Sequence, residues 1–194
     1  MKKIVVFMLT SFLFIFSSVK ADTIKLGILE DETGNFAIAV VPKIHAYELA
    51  VKEINANGGV LGKKLEIVRY DTQSDNRRFQ EFARRLIKKD KVDVVFGAFS
   101  SASRESIRGI MEKNKMLYFY NNQYEGGVCS KTTFMTGAVP EQQFSTLVPW
   151  MMEKYGKNVY TIAADTTLVK FLLNGIDKLL KKMVEQWLVK NLFH

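Results

Sequence analysis

Two polar turns carry the side chains in this chain that are best suited to holding a small ligand. The first, Gly97-Ala98-Phe99-Ser100-Ser101-Ala102-Ser103-Arg104, follows a short β-rich run at Val92 to Phe96 and opens a helical stretch that reaches Lys113. The second, Asn121-Asn122-Gln123-Tyr124-Glu125-Gly126, follows the apolar run Met116 to Tyr120. Turns at the carboxyl ends of neighbouring strands are where open α/β sheets bind small molecules. Ser100, Ser101 and Ser103 sit where a helix begins. One of them can cap it, and the first amides of the helix are free to meet a carbonyl or carboxylate oxygen. Tyr120, Gln123 and Tyr124, clustered with Asn121 and Asn122, supply both donors and acceptors. An amide-like ligand needs both. Each tyrosine taken alone is as well explained by the core as by a pocket wall.

Other chemistries lack their residues. Asp31-Glu32-Thr33-Gly34-Asn35 follows the first strand in the place of a phosphate loop. It has neither the glycines nor the lysine of one, and two carboxylates there repel phosphate. It reads instead as a turn whose Thr33 hydroxyl and following amides face a cleft. Asp71 and Asp75 bracket a strand-to-helix turn and read as capping residues rather than a metal pair. His45 and His194 are the only histidines and have no ligand-type companions, so no zinc site is expected. Ser101 lacks the Gly-x-Ser-x-Gly context of a nucleophile, and nothing ties His45 to a serine. The residues thus point away from an enzyme, and no cofactor is expected. Cys129 is the only cysteine, which leaves no internal disulfide, and it reads as a free buried thiol.

The elements that must position these turns alternate along the chain. Thr23 to Leu29, Lys64 to Tyr70, Val92 to Phe96, Met116 to Tyr120 and Thr133 to Thr136 read as strands, with a further strand at Asn158 to Ala163. Helical spacing covers His45 to Ala56, with Ala46, Leu49, Ala50 and Ile54 near one face, and ends at Asn57-Gly58-Gly59. Asn76 to Lys89, capped by Ser74 or Asp75, buries Phe79, Phe82, Ala83, Leu86 and Ile87. Gln142 to Tyr155 and Val169 to Lys182 complete the helices. This βαβα rhythm specifies an α/β fold with a parallel sheet flanked by helices. The pattern restarts after Gly137-Ala138-Val139-Pro140, the best candidate for a boundary.

Ahead of the first strand stand Lys2 and Lys3, then an uncharged, mostly apolar run of 13 residues from Ile4 to Phe16, then Val19-Lys20-Ala21. This is the pattern of a secretory signal peptide cleaved after Ala21. The run is short against the roughly 20 residues of a membrane span. Without residues 1–21 the net charge falls from +8 to +5, and 173 residues remain. Much of the excess is local, at Arg77, Arg78, Arg84, Arg85, Lys88, Lys89 and Lys91. It reads as a solvated helix face. No aromatic pattern interleaves the charge, and export removes the partner, so nucleic acid is not expected.

From Asp22 to about Asp165 the chain resembles the periplasmic amide- and urea-binding proteins, within the larger group of branched-chain amino-acid-type substrate-binding proteins of ABC importers. The shared phrases are Ile24-Lys25-Leu26-Gly27-Ile28-Leu29, Thr33-Gly34, Glu53 to Gly62, Ser101-Ala102-Ser103-Arg104, Gln123-Tyr124-Glu125-Gly126, Cys129-Ser130 and Thr136 to Gln143. Asn57-Gly58-Gly59-Val60-Leu61-Gly62 is common to the whole group, while Ser-Ala-Ser-Arg and Gln-Tyr-Glu-Gly point to the amide/urea branch. The resemblance implies two Rossmann-like lobes that close on a ligand, a membrane permease as partner and a periplasmic location. It places the first-lobe site on Ser101, Tyr120 and Gln123, with Ser100 and Asn122 nearby. It implies lobe one over residues 22–139 and the start of lobe two over 140–182.

The chain departs from that pattern in two places. Where the family has aromatic second-lobe contacts just after the Asp165 position, this sequence has Thr166, Thr167 and Leu168. The family also needs roughly twice this length, and residues 183–194 have no counterpart in it. Back-translated with suitable codons and read one base earlier, that tail becomes a family-like continuation beginning Asn-Gly-Gly-Thr. The expectation is a truncated copy whose reading frame shifts near Lys181 or Lys182. Urea or a short amide is the expected ligand. A branched-chain amino acid is the main rival within the binding class, and an amide-sensing regulatory protein is the alternative outside it.

Overall fold

Short β-rich runs alternate with longer helical ones, and nothing in the chain permits a tight hairpin between consecutive strands. Such strands pair in parallel, with a helix carrying the chain back after each of the first three and an irregular segment, residues 121–132, after the fourth. The computed structural model describes residues 22–156 and, beyond them, 158, 160, 162, 169–170, 173–178 and 180–181. The order is β1 Ile24–Glu30, α1 Ala37–Ala56, β2 Leu65–Asp71, α2 Asn76–Arg85, β3 Val94–Gly97, α3 Ser101–Lys113, β4 Leu117–Tyr120, β5 Thr133–Met135 and α4 Pro140–Tyr155. A wider π turn, Leu86–Asp90, extends α2 and stops at Lys91, whose φ is 54°. The five strands lie in the order β2-β1-β3-β4-β5, all parallel, as the rhythm of the sequence specifies.

The signal peptide expected over residues 1–21, the positions Thr166 to Leu168 and the tail 183–194 lie outside the described residues. Of the strand expected at Asn158 to Ala163, only Asn158, Tyr160 and Ile162 are described, and none is in a strand. The described residues between 169 and 181 are helical. Among the described residues, no helix is long and apolar enough to cross a membrane.

Alternation along the strands sends side chains to opposite faces of the sheet. Leu29, Val95, Tyr118 and Tyr120 meet Phe79, Ala83 and Leu86 of α2 and Ile107 and Met111 of α3, and together form the core. On the other face Tyr47 of α1 packs on Phe96, and Phe96, Phe119 and Phe134 stack in a row at 5.2 and 5.1 Å. The chain crosses from one face to the other between β1 and β3. The crevice outside their carboxyl ends is therefore the topological switch point.

Two features of α1 depart from the sequence reading. The helix begins at Ala37, eight residues before His45, and carries Pro42 inside it. Pro42 lies early in the helix and removes a single backbone donor, while Val40 and Ile44 around it are buried. The buried face is also a different one. Leu49 is 56% exposed and Ile54 is exposed too, whereas Val40, Ile44, Tyr47, Val51 and Asn55 face the sheet side. Asn55 belongs there because its carboxamide exchanges two hydrogen bonds with the Leu65 backbone, at 2.8 and 2.7 Å.

Gly97 ends β3 against Leu29 of β1. Its φ is 133°, and a Cβ there would lie 2.0 Å from the Leu29 carbonyl oxygen. Only glycine permits this approach, which turns the chain sharply into Ala98 and on to α3.

Candidate functional site

The two polar turns meet at the carboxyl ends of β3 and β4, as their positions in the sequence imply. Ser100 is the N-cap of α3. Its Oγ accepts from the Ser103 amide at 3.0 Å and shares a second hydrogen bond with the Ser103 hydroxyl at 2.8 Å. The Arg104 amide donates to the Ser100 carbonyl. The amides of Ser101 and Ala102 precede the first intrahelical bond and form the positive end of the helix.

Ser101 is 4% exposed, and its hydroxyl donates to Glu125 Oε2 at 2.7 Å. That proton is committed, so the Ser101 oxygen presents lone pairs as an acceptor. Tyr120 is buried and donates inward, to the Phe99 carbonyl at 2.8 Å, with the Gln123 carbonyl at 3.3 Å. Burial, only partly opposed by the nearby Arg104, pushes its phenol up to about 12. Asn122 Nδ2 also donates to the Phe99 carbonyl, at 2.6 Å. Tyr120 and Asn122 therefore clamp the two turns together. The Gln123 side chain is exposed at the rim.

Arg104 is the organising residue that the sequence reading quoted only as part of a motif. It is 1% exposed. Its Nη2 lies 2.6 Å from Glu125 Oε1, and its Nε lies 2.9 Å from Glu105 Oε1. The guanidinium stands over the Tyr120 ring at 5.0 Å and the Tyr124 ring at 5.9 Å. Burial alone would raise the Glu125 carboxyl. The hydrogen bonds from Arg104 and Ser101 outweigh that and hold it below the usual range. The signal was present as a basic and an acidic residue in the two phrases Ser-Ala-Ser-Arg and Gln-Tyr-Glu-Gly. Their pairing needed the fold. A cavity of about 810 Å³ opens beside this ion pair, lined by Tyr124, Glu125, Gly126, Pro140, Asn174 and Lys178 among others.

Further residues at the strand ends differ from expectation. The Thr33 amide and hydroxyl both donate to Asp71, at 3.1 and 2.7 Å, so that hydroxyl is not turned to a cleft. Asp71 thereby joins the turn after β1 to the turn after β2, and capping of α2 falls to Asp75 alone. Cys129 is free but exposed, not buried, because it lies in the irregular segment between β4 and β5.

A second polar cluster, not foreseen, lies under the mouth at the end of β1. Glu30 is fully buried, with Lys43 Nζ 2.5 Å from its Oε1. The Tyr47 hydroxyl donates to the same oxygen at 3.1 Å, and Asn121 Nδ2 donates to Tyr47 at 2.6 Å. Among the described residues, Glu30 Oε2 and Asn121 Oδ1 have no hydrogen-bond partner. Burial, only partly offset by Lys43, pushes the Glu30 carboxyl up to about 7. A folded-state value above the ordinary 4.5 means that the folded protein holds this proton more tightly than the unfolded chain does. Its stabilising contribution is complete below about pH 4.5 and is lost as pH rises to about 7. The loss is about 3 kcal/mol at 1.36 kcal/mol per unit. Thermal melts from pH 5 to 8 are expected to show this fall in the parent and to lack it in Glu30→Gln. Parallel slopes for the two proteins would assign the pH dependence elsewhere.

The periplasmic binding protein domain, as a family pattern, matches residues 24–191. Leu/Ile/Val-binding protein homolog 7 of Brucella melitensis is 38% identical over 96 residues, which cover 50% of this chain and 24% of the relative. Homolog 8 of Brucella abortus is 35% identical over 105 residues, 54% of this chain and 26% of that protein. Among solved structures, the branched-chain amino acid transporter substrate-binding protein LivJ of Streptococcus pneumoniae, in complex with isoleucine, superposes with a TM-score of 0.67 at 24% identity. That superposition covers 83% of this chain and 46% of LivJ. A periplasmic binding protein of Burkholderia mallei gives a TM-score of 0.71 at 21% identity, over 84% of this chain and 44% of that one. This chain thus matches about a quarter of the length of its curated relatives and less than half of the solved proteins. At these identities the structural likeness bears on the fold alone. The family match runs from the first residue of β1 through α4 and on past it, and the chain belongs to the periplasmic binding protein domain family.

Proposed function

We propose that this chain is an extracytoplasmic solute-binding protein of an ABC importer, that the mouth formed by β3, β4 and α3 is the first-lobe wall of its ligand site, and that the ligand is urea or a short amide. It acts by binding and delivering solute to a membrane permease, not by catalysis. The observation that carries the ligand class is the direction of the Ser101 hydroxyl. Because it donates to Glu125, its oxygen accepts from a ligand N–H. The leading amides of α3 beside it donate to a ligand carbonyl. One planar amide satisfies both.

A branched-chain amino acid is the second reading, favoured by the names of the curated relatives and by the isoleucine complex of LivJ. Its carboxylate would suit the start of α3. Its ammonium needs an anionic partner, and Glu125 is already engaged by Arg104 and Ser101. An amide-sensing role on the same fold stands behind both readings, since the leader pattern favours export to the periplasm.

Short amides offer few contacts, so their affinity for such a mouth is expected to be modest. Millimolar titrations followed by NMR are therefore the suitable test. Urea and acetamide are expected to shift the Ser101 and Ala102 amide resonances, and Ser101→Ala is expected to weaken that response about tenfold, the loss of one hydrogen bond. Leucine shifting the same amides at lower concentration than either amide would move the assignment to amino acids. No response to any of the three would remove this mouth as the site.

A further inference from the structure

We propose that the outer face of α2 is a docking surface for anionic phospholipid headgroups. Arg77, Arg78, Arg84, Arg85, Lys88 and Lys89 are all exposed. At about 100° per residue they share one arc of the helix, opposite the buried Phe79, Ala83 and Leu86. Glu81, the one acidic residue between Asn76 and Lys89, is exposed within the same arc and leaves it strongly positive. None of the six cations forms an ion pair among the described residues. Elsewhere the protein does pair its arginines: Arg69 with Glu32 and Glu48, and Arg108 with Glu105 and Glu112. On α2, Arg85 engages Tyr70, its guanidinium 4.8 Å over the ring and acting also on the phenol, and Arg84 donates to a carbonyl of its own helix.

The chemistry of the face selects its partner. Protein interfaces are anchored by apolar and aromatic side chains at their centre. None of the large exposed apolar side chains among the described residues lies on α2. The apolar side of the helix is committed to the core, so it cannot insert into acyl chains. What remains is a layer of charge with six cations against one carboxylate, which matches a headgroup surface rather than a shaped pocket. The extracytoplasmic placement proposed above brings the membrane that holds the importer within reach. The charge geometry stands independently of which solute is bound.

Sedimentation of the full chain with vesicles tests this, since any contribution from residues 1–21 is common to parent and variants. Binding to vesicles of 30% phosphatidylglycerol in phosphatidylcholine is expected to fall steeply from low to high salt, because attraction beyond a Debye length is screened. Arg77→Gln/Arg84→Gln/Lys88→Gln is expected to lose affinity on the order of a hundredfold, about fivefold per cation. Lys52→Glu on α1 is expected to bind as the parent does. Circular dichroism confirms that the variants are folded, and the salt dependence of the parent stands without them. Equal binding to pure phosphatidylcholine, or an unchanged affinity in the folded triple variant, would overturn the proposal. Salt-sensitive retention on poly-glutamate with no vesicle binding would also overturn it, in favour of an acidic protein partner.

Discussion

Gly137→Ala is expected to disrupt the candidate site and most of the stability of the fold with it. A Cβ at this position would lie 1.9 Å from the Asn122 carbonyl oxygen, 2.2 Å from its carbon and 2.6 Å from the Gln123 nitrogen. All three are backbone atoms, so no rotamer change relieves the clash. The segment after β5 is held against this turn on both sides of the glycine. The Thr136 amide donates to the Tyr120 carbonyl, and the Tyr124 amide donates to the Ala138 carbonyl. A methyl group at position 137 would force these strands of chain apart and undo the clamp that Asn122 and Tyr120 make on Phe99. The cost is expected to exceed about 4 kcal/mol, the range of exceptional single substitutions. In a chain of this size that lowers the melting temperature by about 10 °C or more. A Gly137→Ala protein melting within about 2 °C of the parent would show that the approach is not tight.

Arg104→Met carries the second large effect. The substitution keeps bulk in the core but leaves Glu125, whose side chain is only 10% exposed, with Ser101 and a backbone amide but no cation. Removing one member of a buried pair typically costs about 3–5 kcal/mol, because the other charge is left uncompensated. It also removes the cation from over the Tyr120 ring. The Ser101 hydroxyl would then face a carboxyl whose proton is no longer excluded by Arg104, and the urea response should weaken along with stability. Arg104→Met/Glu125→Leu is expected to recover a large part of the loss, since both charges are gone. Equilibrium unfolding of the two singles and the double gives the coupling energy directly. A coupling near zero would mean that the pair does not hold the two turns together.

The strand ends that hold these residues were legible because they obey local rules. Hydroxyls and amides follow apolar runs, Ser100 stands where a cap belongs, and the βαβ rhythm admits one kind of sheet. The α1 face was not legible, for a physical reason. Its inward positions include Tyr47, which reaches Glu30, and Asn55, which pairs with the Leu65 backbone. A reading that places apolar residues inside assigns both to solvent and rotates the helix accordingly. The Arg104–Glu125 pair was hidden in a similar way. The two residues lie in turns 21 positions apart, and only strand adjacency brings them together. Thr33 was misread because a hydroxyl in a turn gives no hint of which neighbouring turn supplies its acceptor. Periodicity reports burial well where packing is apolar, and poorly where a polar side chain makes the contact.

The strand order has one further consequence. Among the described residues, a sheet that runs β2-β1-β3-β4-β5 leaves an outermost strand at each side, and an outermost strand is a template for any other extended chain. At one side, β5 is three residues long, Thr133–Met135, which allows only a brief ladder. At the other, β2 is seven residues long but carries Glu66, Arg69 and Asp71 among its apolar residues. Arg69 is locked between Glu32 and Glu48, and Asp71 is locked to Thr33. A second copy approaching either margin would meet too little backbone or a row of charges already committed elsewhere, so the fold protects itself against strand-by-strand aggregation.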